Sequence, residues 1–460
     1  MTTHSITAET PIKSVDEDTL GYGDEAKQLA ELLIGAQPPS MIGLYSPWGS
    51  GKSSMLFLVN EGIRNLDKDH VLPVRFNTWD HENPQGLIPT LLQRVAQEIL
   101  KRAPEMGAAV VNFEKASRSL YRVAKTASIV IAGWSLKAAT HGGVEMNDIM
   151  DAADFFKGEN KDGDVNLAKK WMENINRDPH AQLSEDLRLA FNALAAVGIR
   201  KVVLLIDDLD RCHPENIYNF LDNLRRLVAI VENLEFSNKS QGFVGLIAAD
   251  EQIISSTVRA KYPHSSADAG AYLYKLLSMT RRMPPLKKEK VIALLSARGK
   301  DDYGLDSGLG TPLKDIATAA AGFAEAAEGA LTPRHLLAFL RHFAYWRGLM
   351  SDEEKNAFYQ AYAPITGLAL LGILDPARLK ILVLAHRANP EKWRLAIREA
   401  IGYVNGAPPG EDYRNSFRRS LERDWGGFQH AALLGKISEM VKQQHNHTDV
   451  RIAAKLAGLG

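Results

Sequence analysis

Residues 46–54 read Ser46-Pro47-Trp48-Gly49-Ser50-Gly51-Lys52-Ser53-Ser54, and the central Gly49-Ser50-Gly51-Lys52-Ser53 is the core of a phosphate-binding loop. The apolar run Met41-Ile42-Gly43-Leu44-Tyr45 before it predicts a buried strand. Met55-Leu56-Phe57-Leu58-Val59 after it opens a helix. Strand, glycine-rich turn and helix in that order are the context such a loop needs. Glycines let the backbone wrap a polyphosphate, with N–H groups at the helix start aimed at the anion. Trp48, Gly49, Ser50, Gly51, Lys52, Ser53 and Ser54 are therefore the candidate nucleotide-binding set. Lys52 would reach the β- and γ-phosphates, and the Ser53 hydroxyl would ligate Mg²⁺. Ser46 stands where a first glycine is usual. A loop at the surface of a formed sheet should also let Lys52 be replaced without unfolding the chain.

A second stretch agrees with the first. Lys201-Val202-Val203-Leu204-Leu205-Ile206-Asp207-Asp208 is a β-branched run ending in two carboxylates. A parallel strand buried on both faces reads this way, and ligands sit off the carboxyl ends of such strands. Asp207 is the expected Walker B acid, holding Mg²⁺ through water. Asp208 reads either as the acid that orients an attacking water or as a supporting carboxylate without catalytic duty. ATP is favoured over GTP, because Asn238-Lys239-Ser240-Gln241 lacks the acid of a guanine-reading Asn-Lys-x-Asp motif.

The chain of 460 residues is long enough for two or three domains. Lys plus Arg and Asp plus Glu balance at 55 each, so no global field argues for a nucleic-acid or acidic partner. The single cysteine, Cys212, suits a reducing cytosol, and the polar N-terminus carries no basic-then-apolar signal. Residues 126–136 form an apolar run of 11, against the ~20 needed to cross a bilayer, so membrane attachment is not expected.

In chain order, Ala26, Leu29, Ala30 and Leu33 follow helical spacing, and the preceding Tyr22 either packs or touches a base. Residues 71–76 predict a strand that Pro73 places at an edge. Asn77 and Trp79 follow in the same crevice, as γ-phosphate-side candidates or, for Trp79, as a packing anchor. Residues 104–182 form a helical insertion between Walker A and Walker B, and its polar run 157–164 reads as a surface loop. A helix over 184–197 leads into the Asp207 strand. Arg211 either pairs with Asp210 or reaches a phosphate. Residues 241–249 predict another buried strand, with Asp250 at its end as a γ-phosphate sensor or a helix N-cap. A short strand near 279–285 closes the sheet. Beyond it the chain is helical, with a flexible connection over 298–312 and an Ala-rich helix over 317–330. Thr332 and Pro333 cap a further helix, whose first turn carries Arg334 against the dipole preference. Helices of 351–460 break at Pro364, Pro376, Pro390 and 406–410. Between Arg378 and Arg423 ten Lys/Arg face five Asp/Glu, beside a stripe of Tyr413, Phe417 and Leu421. That stretch is either a solvated basic face or a surface for nucleic acid or an acidic partner.

Taken together, 48–54, Phe76-Asn77-Thr78-Trp79, Ile206-Asp207-Asp208-Leu209-Asp210-Arg211-Cys212, Tyr272-Leu273 with Lys275, and Thr332-Pro333-Arg334 resemble the KAP family of P-loop NTPases, within the AAA/STAND-like group. The resemblance implies an α/β fold with a five-stranded parallel core, a helical lid and a C-terminal α-helical region. The corresponding divisions are 16–286 for the core, 287–350 for the lid and 351–460 for the C-terminal helices. It implies that Arg334 acts as the lid arginine that contacts the γ-phosphate. It also implies phage exclusion or anti-phage defence, since several members work there. Many members carry membrane helices in the insertion; this insertion's apolar run is too short for that. The expected function is an ATP-hydrolysing switch in a homo-oligomeric, cytoplasmic assembly. No nuclease, deaminase or protease constellation is present, so an effector or sensor partner would supply further chemistry. A nucleotide-locked scaffold with little turnover and a DNA-directed motor are the competing readings.

Overall fold

The computed structural model describes residues 10–82, 86–102, 110–139, 179–236, 239–261, 269–305, 313–327, 329–376, 379, 436–437 and 450–457. The chain separates into two compact units. One comprises Tyr22–Ser46 and Lys52–Met283; the other comprises Met1–Gly21, Pro47–Gly51 and Pro284–Gly460.

The first unit is α/β. Helix α1 (Gly23–Gly35) turns Ala26, Leu29, Ala30 and Leu33 inward and leads to strand β1 (Ser40–Tyr45). Helix α2 (Lys52–Asp67), strand β2 (Val71–Asn77) and helix α3 (Leu87–Arg102) follow. Strand β3 (Lys201–Asp207) and strand β4 (Gly242–Ala249) are buried along their whole length, as strands covered by helices on both faces must be. Strand β5 (Met279–Arg282) completes a five-stranded sheet in the order β2-β3-β4-β1-β5. All its pairings are parallel. Pro73 lies on the edge strand, where its missing N–H costs the ladder nothing. The register sets Asn77 opposite Asp207 and Tyr45 opposite Ala249, which brings the carboxyl ends of four strands to one rim. Tyr22 is buried, in keeping with a packing role.

Lys201 opens β3 and uses its ammonium as a helix cap. It donates to the carbonyl oxygens of Leu33, Ile34 and Ala36 at the end of α1, where no intrahelical donors remain.

The insertion forms helix α4 (Val110–Ala139), which packs against α3 on one side and against helix α5 (Pro179–Ala196) on the other. Phe113, Ala116, Leu120, Val123, Ala124, Ala127 and Val130 recur on one buried face of α4. Between α4 and α5 the buried Asp186 accepts from Thr126 Oγ1 at 2.6 Å and Gln182 Nε2 at 3.1 Å. The run 157–164 lies outside the described residues. Helix α6 (Pro214–Glu232) opens on Pro214, followed by α7 (Glu251–Lys261) and α8 (Ala269–Tyr274).

The second unit is helical. Helices α9 (Lys288–Asp301), α10 (Leu313–Ala326), α11 (Pro333–Arg347), α12 (Asp352–Gln360), α13 (Tyr362–Leu374) and α14 (Val450–Leu456) follow in order. Their shared core holds Phe323, Phe339, Phe343 and Phe358. That core runs without a break across position 350, since α13 packs on α10, α11 and α14. Helix α9 continues through Arg298 to Asp301, where a flexible connection was expected. Gly299 serves packing rather than helix ending: a Cβ there would sit 2.6 Å from Leu313 Cδ2, so the glycine lets α10 lie close against this helix. The break expected at Pro364 is present: α12 ends at Gln360 and α13 begins at Tyr362, with Pro364 in its first turn, where no intrahelical donor is lost. The stripe of Tyr413, Phe417 and Leu421 and its flanking arginines lie outside the described residues.

Among the described residues no single helix is long and apolar enough to cross a membrane. The pair α12 and α13 reaches such length and composition together, but is bent by 97°. Residues Pro364 to Gly372 of α13 are all buried, the pattern of a core helix.

Candidate functional site

Helix α2 begins at Lys52 because the loop before it ends in Gly51, whose φ of 96° only glycine adopts readily. Lys52 and Ser53 therefore stand in the first turn of α2. The Ser53 side chain lies close enough to the Asp207 carboxylate at the end of β3 to favour its ionised form. Burial, and then the neighbouring Asp208 carboxylate, raise Asp207 above the usual carboxylate range, against the pull of that side chain. A hydroxyl and a carboxylate brought together, with the carboxylate short of compensating charge, is the donor set a hard divalent cation takes. The residues present thus fit Mg²⁺ at Ser53 and Asp207.

Lys52 itself is buried, with 7% of its side chain exposed, although the loop was expected at the surface of the sheet. Its ammonium donates to the Ser46 carbonyl at 2.9 Å and lies 3.4 Å from Asp210 Oδ2. The Asp210 side chain is fully buried, and the same Oδ2 accepts the Asp250 N–H at 2.6 Å. Asp210 was expected as one possible partner of Arg211; its hold on Lys52 is the contact that the sequence did not announce. The signal was its spacing, three positions after Asp207, which the short 3-10 turn Leu209–Arg211 carries back under the rim.

Asp208 occupies the left-handed region at φ 56°, ψ 24°, a conformation Asp tolerates better than most residues. Its Oδ2 accepts from Asn77 Nδ2 at 3.1 Å, and its Oδ1 meets Arg211 Nε at 2.9 Å. Arg211 therefore pairs with Asp208, not Asp210. Burial raises the Asp208 carboxyl, while Arg211 and Asn77 pull it back. The Arg211 guanidinium also lies 5.7 Å over the Trp79 ring, which is 52% exposed and so is no packing anchor. Asn77 Oδ1 accepts the N–H groups of Trp79 and Asp80 at 3.0 and 3.2 Å, turning its amide toward Asp208. Thr78 fastens the same rim, donating from Oγ1 to the Asp207 carbonyl at 2.8 Å.

Asp250 ends β4 and caps α7, its Oδ1 accepting the Gln252 N–H at 2.9 Å. Cys212 is buried beside Asp208, and burial pushes its thiol up to about 11, which suits an inert thiol.

Within the helical unit, Thr332 and His335 form a reciprocal capping box at the start of α11, with Pro333 in the first turn. This start rests on the loop: the Arg334 N–H donates to the Gly49 carbonyl at 3.3 Å. Gly49 has φ 82°, and a Cβ there would sit 2.5 Å from Arg334 Cβ and 3.1 Å from Thr332 Oγ1. Ser50 Oγ donates to the Pro47 carbonyl at 2.8 Å, and Trp48 is exposed.

The KAP family P-loop domain matches residues 22–350. An uncharacterized protein of Methanocaldococcus jannaschii is 26% identical over 202 residues, covering 40% of this chain and 98% of that protein. The phage T7 exclusion protein of Escherichia coli K12 is 22% identical over 289 residues, covering 59% of this chain and 34% of that protein. Among solved structures, Aeropyrum pernix ORC1 in complex with DNA is 16% identical with a TM-score of 0.32, covering 93% of this chain and 83% of that one. The ORC2 protein of the same organism, in ADPNP and ADP complexes, is 11% identical with a TM-score of 0.35, covering 99% and 97%. With a family match across 22–350 and the loop, the β3 acids and the parallel sheet that carry it, the chain belongs to the KAP family of P-loop NTPases.

Proposed function

We propose that this protein binds Mg²⁺–ATP at the loop 46–54 and hydrolyses it, as a switch in a homo-oligomeric, cytoplasmic assembly that acts with an effector partner in anti-phage defence. The observation that carries the reading is the meeting of the Ser53 hydroxyl with the Asp207 carboxylate, next to the buried Lys52. The likeness to a phage exclusion protein supports the defence role. Bound Mg²⁺ would neutralise charge on the phosphate oxygens. Ser53 and Asp207 would hold it. Lys52 binds the β- and γ-phosphates, and the N–H groups of the loop wrap them. Asp208 holds and orients the attacking water once it lets go of Asn77 or Arg211. Asp250 and Arg334 are the candidates that sense the γ-phosphate, with 287–350 as a lid on a 16–286 core and 351–460 as an interaction region.

The double hold on Asp208 favours a second reading, slow turnover with nucleotide retained, because a carboxylate already satisfied by two donors polarises water poorly. Nucleotide content after purification, set beside phosphate release with Mg²⁺–ATP, separates the two. Released phosphate with an exchangeable site supports the switch; stoichiometric trapped nucleotide without release supports the scaffold. A folded protein that neither retains nor binds nucleotide in calorimetry would refute both.

A further inference from the structure

The Asp210 side chain is fully buried, with two carboxylate oxygens to place. Its Oδ2 is shared between donors from two elements: the Lys52 ammonium of α2 at 3.4 Å and the Asp250 N–H, just before α7, at 2.6 Å. Lys52 has a second hold on the Ser46 carbonyl at 2.9 Å, so its short reach is already fixed at both ends of the loop's base. An ammonium among phosphate oxygens and an ammonium on Asp210 draw on the same three N–H groups and the same single charge.

We infer that Asp210 is a positioning residue that holds Lys52 in the nucleotide-free protein and competes with phosphate for it. The inference deepens the nucleotide-site reading and rests on it. The competition has a direction. A carboxylate this close, and out of water, offsets the charge with which Lys52 would draw in a polyphosphate. ATP without metal therefore meets a site whose main cation is engaged and whose rim carries Asp207 and Asp208. When Lys52 turns to the phosphates, Oδ2 still holds the Asp250 N–H, so phosphate occupancy is passed to the first turn of α7. Asp210 thus sets how far capture depends on metal, and it links the loop to the end of β4.

The test is Asp210→Asn, which keeps the shape and an acceptor for the Asp250 N–H but removes the charge. Two readouts serve. In nucleotide-free protein, acetylation of Lys52 by acetic anhydride, followed by peptide mass spectrometry, should rise several-fold in the variant while other lysines keep their labelling. In EDTA, a fluorescent ATP analogue should bind at least about tenfold tighter, the scale expected for removing a charge at this range. With Mg²⁺ the gain should shrink. A supporting strut that only shaped the turn would do the opposite and weaken binding in both conditions. Unchanged Lys52 labelling, or weaker binding in EDTA by a variant that melts like the parent, would overturn the inference. Should Asp210→Asn fail to fold, melting of Lys52→Met against Lys52→Met/Asp210→Asn carries the test. The double variant should melt higher than the single, and a further drop would overturn the pairing. Labelling needs no nucleotide, so a parent protein that ignores ATP would sink the nucleotide reading while the labelling still decides the pairing.

Discussion

Replacing Asp208 by Asn separates its chemical duty from its structural one, because the structure predicts very different sizes for the two. The backbone there is left-handed, at φ 56° and ψ 24°. Asn enters that region readily, whereas Ala would add strain of about 1–2 kcal/mol, so Asn is the clean substitution. The variant loses the ion pair with Arg211, whose side chain is 37% exposed. Pairs in such surroundings contribute about 0.2–1 kcal/mol. It keeps an oxygen for Asn77 Nδ2, and it sheds a charge that burial disfavours. The net stability change should be within about 1 kcal/mol, a few degrees of melting temperature for a unit this size. A carboxylate that orients water in line with the γ-phosphate contributes about 10²–10⁴-fold, or roughly 2.7–5.4 kcal/mol of barrier. We therefore expect phosphate release under saturating Mg²⁺–ATP to fall at least about 10²-fold, with affinity changed only a few-fold. Single-turnover release and calorimetric titration measure the two separately. Hydrolysis at the parent rate would make Asp208 a supporting residue. An equal fall in affinity and turnover would make it a ligand or a strut, and the reasoning would fail.

Three further outcomes follow from the geometry. Gly49→Ala should abolish tight nucleotide binding, since φ 82° and the 2.5 Å approach to Arg334 Cβ leave a methyl group no room; titration with a fluorescent nucleotide checks it. Asp207 has a raised pKa, so the folded chain keeps a proton there that the unfolded chain sheds, and stability falls as pH climbs from the ordinary carboxylate range through the raised one. Asp207→Asn should therefore melt higher than the parent in metal-free buffer at neutral pH and flatten that fall, while losing the extra stability that Mg²⁺–ATP gives the parent; scanning calorimetry across pH reads both. Lys201→Met should lower stability by about 1–3 kcal/mol in urea titration, because the carbonyls at the end of α1 lose their shared donor while still buried.

The sheet was legible because each strand announces itself locally. The runs at β1, β3 and β4 are apolar on both faces, and Pro73 marks β2 as an edge. The loop and Asp207 were legible for the same reason, since phosphate binding needs its residues within one strand-turn-helix. Partners were not. Lys52 and Asp210 stand far apart in the chain, and no local pattern says which acid of Asp207-Asp208-Leu209-Asp210 faces the lysine. The 3-10 turn decides: it lays Arg211 back over Asp208, three residues earlier, and leaves Asp210 pointing inward. One helix end was misread, where a glycine has a local use that punctuation rules ignore: Gly299 gives Leu313 room within a continuing helix.

The three acids after β3 divide their work by direction. Asp207 faces Ser53 on α2, Asp208 faces Asn77 at the end of β2, and Asp210 faces Lys52 and the Asp250 N–H beyond β4. One short turn therefore fastens the carboxyl ends of β2, β3 and β4 to the start of α2 with the same groups that would handle nucleotide. Lys52→Ala, the obvious probe of such a loop, is then a poor one. It strands the fully buried Asp210 without its counter-charge, and breaking one side of a buried pair typically costs about 3–5 kcal/mol. Lost nucleotide binding in that variant could come from the missing phosphate contact or from a loosened rim. Lys52→Ala combined with Asp210→Asn removes the stranded charge and restores the comparison. If the loop reading is right, the double variant should regain most of the melting temperature lost by Lys52→Ala while still failing to bind Mg²⁺–ATP. Recovery of binding along with stability would show that Lys52 served the fold and not the phosphates.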